Sequence, residues 1–428
     1  MTSKSPFTST DKPAEESATG SRFPTRRELL KRGAQVLTAA ALVPAPLRSA
    51  IAADAGKPIK IGIPCALSGA FGHLGLQTKR AAEIYVKDFN AKGGVLGRPL
   101  ELIVEDTQGD PAVCVRKVQE FVERRGCNIF TGLSISPESL AVSPRLKEWN
   151  ALYISSGAGD GRLTAQALVP NFFRSNASSP MGARIVSRYI KDNQKISKVF
   201  AIGQDYAWGH NSIDVLEAEV KKGGKQFIGK LFSPTGTKDF SSYISKIRSS
   251  GADGLYIVLT GDDNNAFVTQ AANYRIFQEM PSMMEFIEYV MVRGVGDSAV
   301  GLIGSSRWPF TLDNPMSKKF AQEFHDAYGV YPDLHAGELI QAMDFITAAI
   351  EKAQSTDTEA LKTALEGLKI NSIKGDVVMR SCDHQAVSDG YLIQCVKAEG
   401  YKYPIPKVLA TYDGDFVAPP CRSMSYST

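Results

Sequence analysis

Long apolar runs are missing from this 428-residue chain: past residue 52 no segment offers the roughly 18 uninterrupted apolar residues that a membrane-crossing helix needs, so no span is expected. Histidine is scarce, with five residues scattered at 73, 210, 325, 335 and 384, and no two of the six cysteines have the close spacing of a metal knuckle. A resident metal or other cofactor is therefore not expected. The sequence also lacks a Gly-Lys-Ser/Thr phosphate cradle, a Gly-x-Ser-x-Gly nucleophile turn and a His-Glu-x-x-His helix, and Gly157-Ala158-Gly159-Asp160-Gly161 does not have the spacing of a dinucleotide loop. Catalysis is not expected. A one-sided charge is missing too. Residues 1–52 hold eight basic and four acidic side chains of the 49 and 45 in the whole chain, which leaves 41 of each sign beyond them and implies no nucleic-acid partner.

What the first 52 residues do contain is an address. A polar lead rich in Ser, Thr and Pro is followed by Thr25-Arg26-Arg27-Glu28-Leu29-Leu30-Lys31, then by the apolar Val36–Val43, too short to span a bilayer, and by the small-x-small site Ala50-Ile51-Ala52. This order resembles a bacterial twin-arginine export signal, with cleavage expected after Ala52 and the periplasm as the working compartment. Disulfides become possible there. Cys114 and Cys127 fall near the two ends of one expected helix, about 20 Å apart at helical rise and beyond bridging distance. Cys382 and Cys421 share the C-terminal tail and are the favoured pair, the alternative being six buried thiols.

From residue 58 the chain alternates β-rich runs with helical patterns. Strands are expected at 59–67, 100–107, 127–133 and 151–156, with helices at about 77–90, 111–125 and 138–149 between them. The pattern then restarts, with strands at 197–204, 224–232 and 254–260 separated by helices at about 209–222 and 240–249. Near-continuous apolar strands between amphipathic helices indicate α/β lobes with parallel sheets covered on both faces, and the restart implies two of them. A long late helix at about 339–354 precedes an expected hairpin of 376–382 with 390–396, so the tail joins existing lobes and forms no third. Open parallel sheets bind ligands beyond the carboxyl ends of their strands. The loops of interest are thus Ser68–Gly75, Ser134–Glu138, Ser155–Gly161, Asp205–Gly209 and Gly261–Asn265, with another around Glu285.

Those loops carry a resemblance. Ile59-Lys60-Ile61-Gly62, Leu67-Ser68-Gly69, the turn Asn90-Ala91-Lys92-Gly93-Gly94-Val95-Leu96-Gly97-Arg98, Glu105-Asp106, Ser155-Ser156-Gly157-Ala158, Asp205-Tyr206-Ala207-Trp208-Gly209, Lys238-Asp239-Phe240 and Ala327-Tyr328-Gly329 together resemble the leucine/isoleucine/valine-binding-protein family over about residues 58–400. These are type I periplasmic solute-binding proteins. The resemblance implies two Rossmann-like lobes joined by a three-segment hinge: lobe 1 at about 58–176 plus 309–381, and lobe 2 at about 177–308 plus 382–428. It further implies a monomer that captures a small polar solute, a branched-chain or other hydrophobic amino acid first, and hands it to the inner-membrane permease of an ABC importer. An aromatic carboxylate or amide is the alternative solute, and a solute sensor the alternative role.

By that resemblance Ser134, Ser136 and Ala158 hold a ligand carboxylate, with Ser156 in the same small-residue loops, and Trp208 covers the ligand. Glu285 sits where an amino-acid binder supplies a carboxylate for the α-ammonium, with Asp262, Asp263 and Glu288 as competitors. The chain departs from the amino-acid pattern at Gly157-Ala158-Gly159-Asp160, which has glycine where relatives present a hydroxyl residue. Asp160 could then meet a cation or hydroxyl, and Trp208 with Phe71 and Tyr206 could line a slot for an aromatic acid. Leu74 caps the cleft, and His384 near the last crossover is read as structural.

Overall fold

The computed structural model describes residues 56–425, so the expected export signal and its cleavage site lie outside the described residues. The chain opens with β1 (Ile59–Cys65), α1 (Gly72–Ala91), β2 (Leu100–Asp106), α2 (Pro111–Arg125), β3 (Ile129–Gly132), α3 (Ser136–Val142), β4 (Leu152–Ser155) and β5 (Phe172–Arg174). These strands form one parallel sheet in the order β2-β1-β3-β4-β5. Local chemistry sets the boundaries. At α2, for example, the Asp110 carboxylate accepts the backbone N–H groups of Ala112 and Val113, Pro111 occupies the first turn, and Gly126 ends the helix at φ +59°.

The second lobe repeats the plan. It contains α4 (Ser179–Asp192), β6 (Lys198–Gln204), α5 (Ala207–Lys222), β7 (Gln226–Ser233), α6 (Ser241–Ser249), β8 (Gly254–Val258), α7 (Gly261–Asn273), β9 (Ser282–Met284), α8 (Tyr289–Val295) and β10 (Ile303–Ser306). From its outer edge this sheet runs β7-β6-β8-β9-β10, the same winding as β2-β1-β3-β4-β5. The chain then returns through α9 (Pro315–Tyr328) and α10 (Leu334–Ala353), which pack against α1, and through a small antiparallel sheet of β11 (Lys369–Ser372), β12 (Gly375–Met379) and β13 (Ala386–Val387). It crosses a final time to add β14 (Gly390–Val396) antiparallel to β10 and β15 (Ile405–Tyr412) antiparallel to β14. The result is two α/β lobes linked by three chain passages.

Two sequence expectations need correction. The stretches 376–382 and 390–396 do not pair as a hairpin: β12 pairs with β11 and β13, whereas β14 pairs with β10 and β15 in the seven-stranded sheet. Both read as apolar β runs, and register between distant strands leaves no local mark. The helix expected over 138–149 is the shorter α3, followed by a 3₁₀ turn at Ser143–Arg145 that carries Pro144. Cys382 and Cys421 are disulfide-bonded, and the other four cysteines are free and buried. Among the described residues no helix is long and apolar enough to cross a membrane.

Candidate functional site

The carboxyl ends of β3 and β4 face those of β6, β8, β9 and β10 across the interlobe cleft. After β3, Gly132 turns at φ +122° with its α-carbon against the Pro64 carbonyl, a place with no room for a side chain, and the chain delivers Ser134 and Ser136 to the cleft. After β4, Gly157 presses on the Ser134 backbone, where a Cβ would come within 2.7 Å of its Cα. At Gly159 a Cβ would lie 2.9 Å from both Arg307 Nη2 and Trp208 Cδ1. Gly159, at the point of departure from the amino-acid pattern, thus clears space for two large side chains of the opposite lobe, and Gly157 lets its loop pack on the Ser134 backbone.

The lobes are closed on one another. The Gly161 N–H donates to Asn211 Oδ1 at 2.8 Å, Arg307 Nη1 donates to the Gly157 carbonyl at 2.7 Å, and Phe71 meets Tyr206 edge-on at 6.0 Å between centroids. Between them lies a pocket whose non-atom space, about 360 Å³, includes solvent at its mouth. Its apolar walls are Leu74, Ile135, Tyr206, Trp208, Phe286 and Leu334, and its polar groups are Ser134, Ser136, Thr260, Glu288, Arg307, His335 and the backbone at Gly157 and Gly159.

Arg307 follows directly from the end of β10 and is only 5% exposed. Its guanidinium stacks on Phe286 at 4.2 Å, and its buried Nε has no protein partner. Burial lowers its pKa, with Glu338, Glu285 and Glu288 pulling the other way. The buried Ser134 hydroxyl also lacks a partner, while Ser136 Oγ accepts the Asp160 N–H at 3.1 Å.

The acids divide sharply. Glu285 is wholly buried behind the wall, and its carboxylate accepts Trp208 Nε1–H at 3.1 Å, the Ser212 hydroxyl at 2.9 Å and the Tyr256 hydroxyl. Burial pushes it up to about 7 against the pull of Tyr256, Ser212, Arg307 and Trp208. Glu288 is the acid that lines the cavity. It accepts the Thr260 hydroxyl at 2.7 Å and lies 3.5 Å from His335 Nε2 and 3.9 Å from His73 Nε2. Burial raises its pKa, but the two imidazoles outweigh that and hold it far below the usual carboxylate range.

The other residues singled out from sequence lie elsewhere. Asp262 is exposed and 3.4 Å from Lys238 Nζ, outside the cavity wall. The Asp160 carboxylate is buried against Arg162 and caps the next turn, so it is not an open cation partner. Ser156 Oγ donates to the Gly132 carbonyl at 3.3 Å, and Ala158 presents its carbonyl to Asn176 Nδ2 at 3.0 Å. Asp263 accepts the Gly236 N–H and Gln204 Nε2–H. His384 stacks on Phe173 at 4.0 Å with Nδ1 2.8 Å from the Phe172 carbonyl oxygen. Ser134, Ser136, Tyr206, Trp208 and Leu74 do line the cavity.

Sequence reasoning missed Arg307, Phe286, Thr260, His73 and His335. One signal was available for Arg307: β10 is the counterpart of β5 in the repeated winding, and β5 itself ends on the buried Arg174.

The periplasmic binding protein family matches residues 58–400. A Leu/Ile/Val-binding protein homolog 3 of Brucella melitensis is 27% identical over 348 residues, 78% of this chain and 93% of the relative. A solute-binding protein of an ABC transporter from Rhodopseudomonas palustris BisB5, solved with 3,4-dihydroxybenzoic acid, superposes with a TM-score of 0.78 at 20% identity, covering 84% of this chain and 98% of that one. An amino acid ABC transporter substrate-binding protein from Pseudomonas fluorescens Pf-5 gives 0.77 at 22% identity, covering 86% and 99%. The chain belongs to the periplasmic binding protein family, as the substrate-binding, non-enzymatic component of an ABC transporter that takes up a small-molecule solute and meets a permease.

Proposed function

We propose that this protein captures a small carboxylate that carries no α-ammonium, with an aromatic or branched apolar body, and delivers it to its permease. The observation that carries the reading is a surplus of donors in the cavity. Arg307 Nε and the Ser134 hydroxyl are buried without partners, and a carboxylate would satisfy both with charge-assisted bonds. On the acceptor side, Glu285 already takes three donors, and Glu288 faces two imidazoles and a hydroxyl. An incoming ammonium would have to displace those partners. Tyr206, Trp208 and Phe286 supply flat apolar walls for a ring, and the aromatic acid bound by the R. palustris neighbour accords with the reading.

A hydrophobic amino acid is the second reading, favoured by the ionised Glu288 in the cavity wall and by the names of the curated relatives. The reading also takes in the twin-arginine route with cleavage after Ala52, and rigid bodies of residues 58–176 plus 309–381 and 177–308 plus 382–428. A thermal-shift screen of residues 53–428 against benzoate, 4-hydroxybenzoate, benzamide and leucine tests the solute. A ligand at about 100 times its dissociation constant adds about 2.7 kcal/mol of stability. Shifts with the acids alone support the proposal, and a shift with leucine alone favours the second reading.

A further inference from the structure

We propose that His73 is a proton-dependent clasp across the cleft: closing round the solute loads its imidazole with a proton against Glu288 of the opposite lobe, so solute is held more tightly at mildly acidic than at mildly alkaline pH. The proposal rests on cleft capture as described above and adds its regulation.

His73 stands in the first turn of α1, on the lobe of β1–β5, whereas Glu288 follows β9 on the other lobe. The ring is wedged against the start of α7. A Cβ on Gly261, which sits at φ +66°, would come within 2.9 Å of His73 Cε1, so only glycine lets the imidazole close this far. Its Nε2 is buried, 3.9 Å from Glu288 Oε2, and has no hydrogen-bond partner. A neutral imidazole gains little at that distance, whereas an imidazolium gains the full attraction of a buried carboxylate.

The groups facing this pair come from every neighbouring element. The end of β8 supplies the Thr260 hydroxyl, already donated to Glu288, and α7 supplies the exposed Asp262. The start of α10 supplies His335, at 3.5 Å from Glu288, and Asp333, whose carboxylate accepts the N–H groups of Val290 and His335. Arg307 and Tyr206 also interact electrostatically with Glu288, and Glu285 with both of them. Around His73 burial opposes the charged ring, but the pull of Glu288, with the charges of Asp333 and Asp262, outweighs it and leaves its pKa above the ordinary value.

Opening the lobes separates His73 from Glu288 and returns the imidazole to an ordinary value near 6.5. The closed state therefore binds more protons than the open one between the two values. Its advantage is complete below about 6.5 and is lost as the pH rises through the raised value of the closed state. One proton sets the ceiling, at a tenfold change in dissociation constant per pH unit.

Calorimetry of benzoate binding to wild type, in phosphate and in Tris at matched pH, measures the proton directly. Wild type should take up a fraction of a proton near pH 7.5 and weaken about two- to tenfold between pH 6 and 8.5. His73→Gln should take up none and show a flat profile, and Glu288→Gln, which removes the other half of the clasp, should do the same if His73→Gln does not fold. His210→Gln, which alters an exposed imidazole paired with Asp205, should behave as wild type. Uptake that persists in His73→Gln, or its absence in wild type, overturns the clasp. Should leucine bind and benzoate not, the carboxylate reading falls, and the same two-buffer comparison with leucine decides the clasp. Binding of neither overturns both.

Discussion

Replacing Arg307 by methionine keeps most of the side chain's bulk and its packing on Phe286 while deleting the charge and every donor. In the ligand-free protein the change removes a cation that burial already disfavours, together with one bond to the Gly157 carbonyl, so folding stability should change little. In the complex it removes the only Arg or Lys side chain that lines the cavity among the described residues. Truncating one partner of a buried, hydrogen-bonded charge pair costs about 2–5 kcal/mol, so carboxylate affinity should fall at least 30-fold. The loss should be specific to charge: benzamide, which offers the same ring and one carbonyl oxygen, should lose less than about tenfold. Titration calorimetry of benzoate and benzamide against both proteins gives the comparison. Equal losses for acid and amide, or a benzoate affinity within about twofold of wild type, would refute the assignment of Arg307 to the carboxylate.

Trp208→Ala should weaken binding by more than about 1.5 kcal/mol if the ring covers the solute, and unchanged calorimetric affinity would return Trp208 to a packing role. Gly159→Ala places a methyl 2.9 Å from both Arg307 Nη2 and Trp208 Cδ1, so it should lower carboxylate affinity more than tenfold with a modest loss of urea stability. Reducing the Cys382–Cys421 bridge, which closes a separation of 39 residues, should lower the stability measured in urea by up to about 4 kcal/mol, and an unchanged midpoint would mean that the tail is held by its other contacts. Glu285→Gln preserves the shape of a group pushed up to about 7 by burial. It should therefore leave the discrimination between benzoate and leucine intact, whereas loss of leucine binding alone would make Glu285 the ammonium partner.

Much of the architecture was legible because its signals are local. The apolar run Ile59–Cys65 and the Asp110-Pro111 start and Gly126 end of α2 each state their own structure, and repetition of strand and helix announces a second lobe. The partners of β12 and β14 were not legible, since which distant strand an apolar run joins is decided by the whole sheet. The site follows the same division. Ser134, Ser136 and Trp208 stand in the loops and first helical turns that directly follow strands of the parallel winding, so their place in the cleft could be read. Glu285 and Glu288 are three residues apart, and sequence cannot tell which faces the cavity; Trp208 and Ser212 of α5 and Tyr256 of β8 turn Glu285 inward. Arg307 escaped notice because its importance comes from partners about 150 residues earlier, the Gly157 carbonyl that it donates to and Gly159, whose missing side chain admits it.

A matched pair of solutes tests the central claim most directly. 3-Phenylpropionate and phenylalanine differ only by the α-ammonium, and their dissociation constants for residues 53–428 can be measured by titration calorimetry in one buffer at pH 7. With Arg307 and Ser134 as unmatched donors and both nearby glutamates already engaged, the ammonium-free acid should bind at least tenfold more tightly, a difference of about 1.4 kcal/mol. Tighter binding of phenylalanine would contradict the account and make Glu288 the group that receives an amino acid's ammonium.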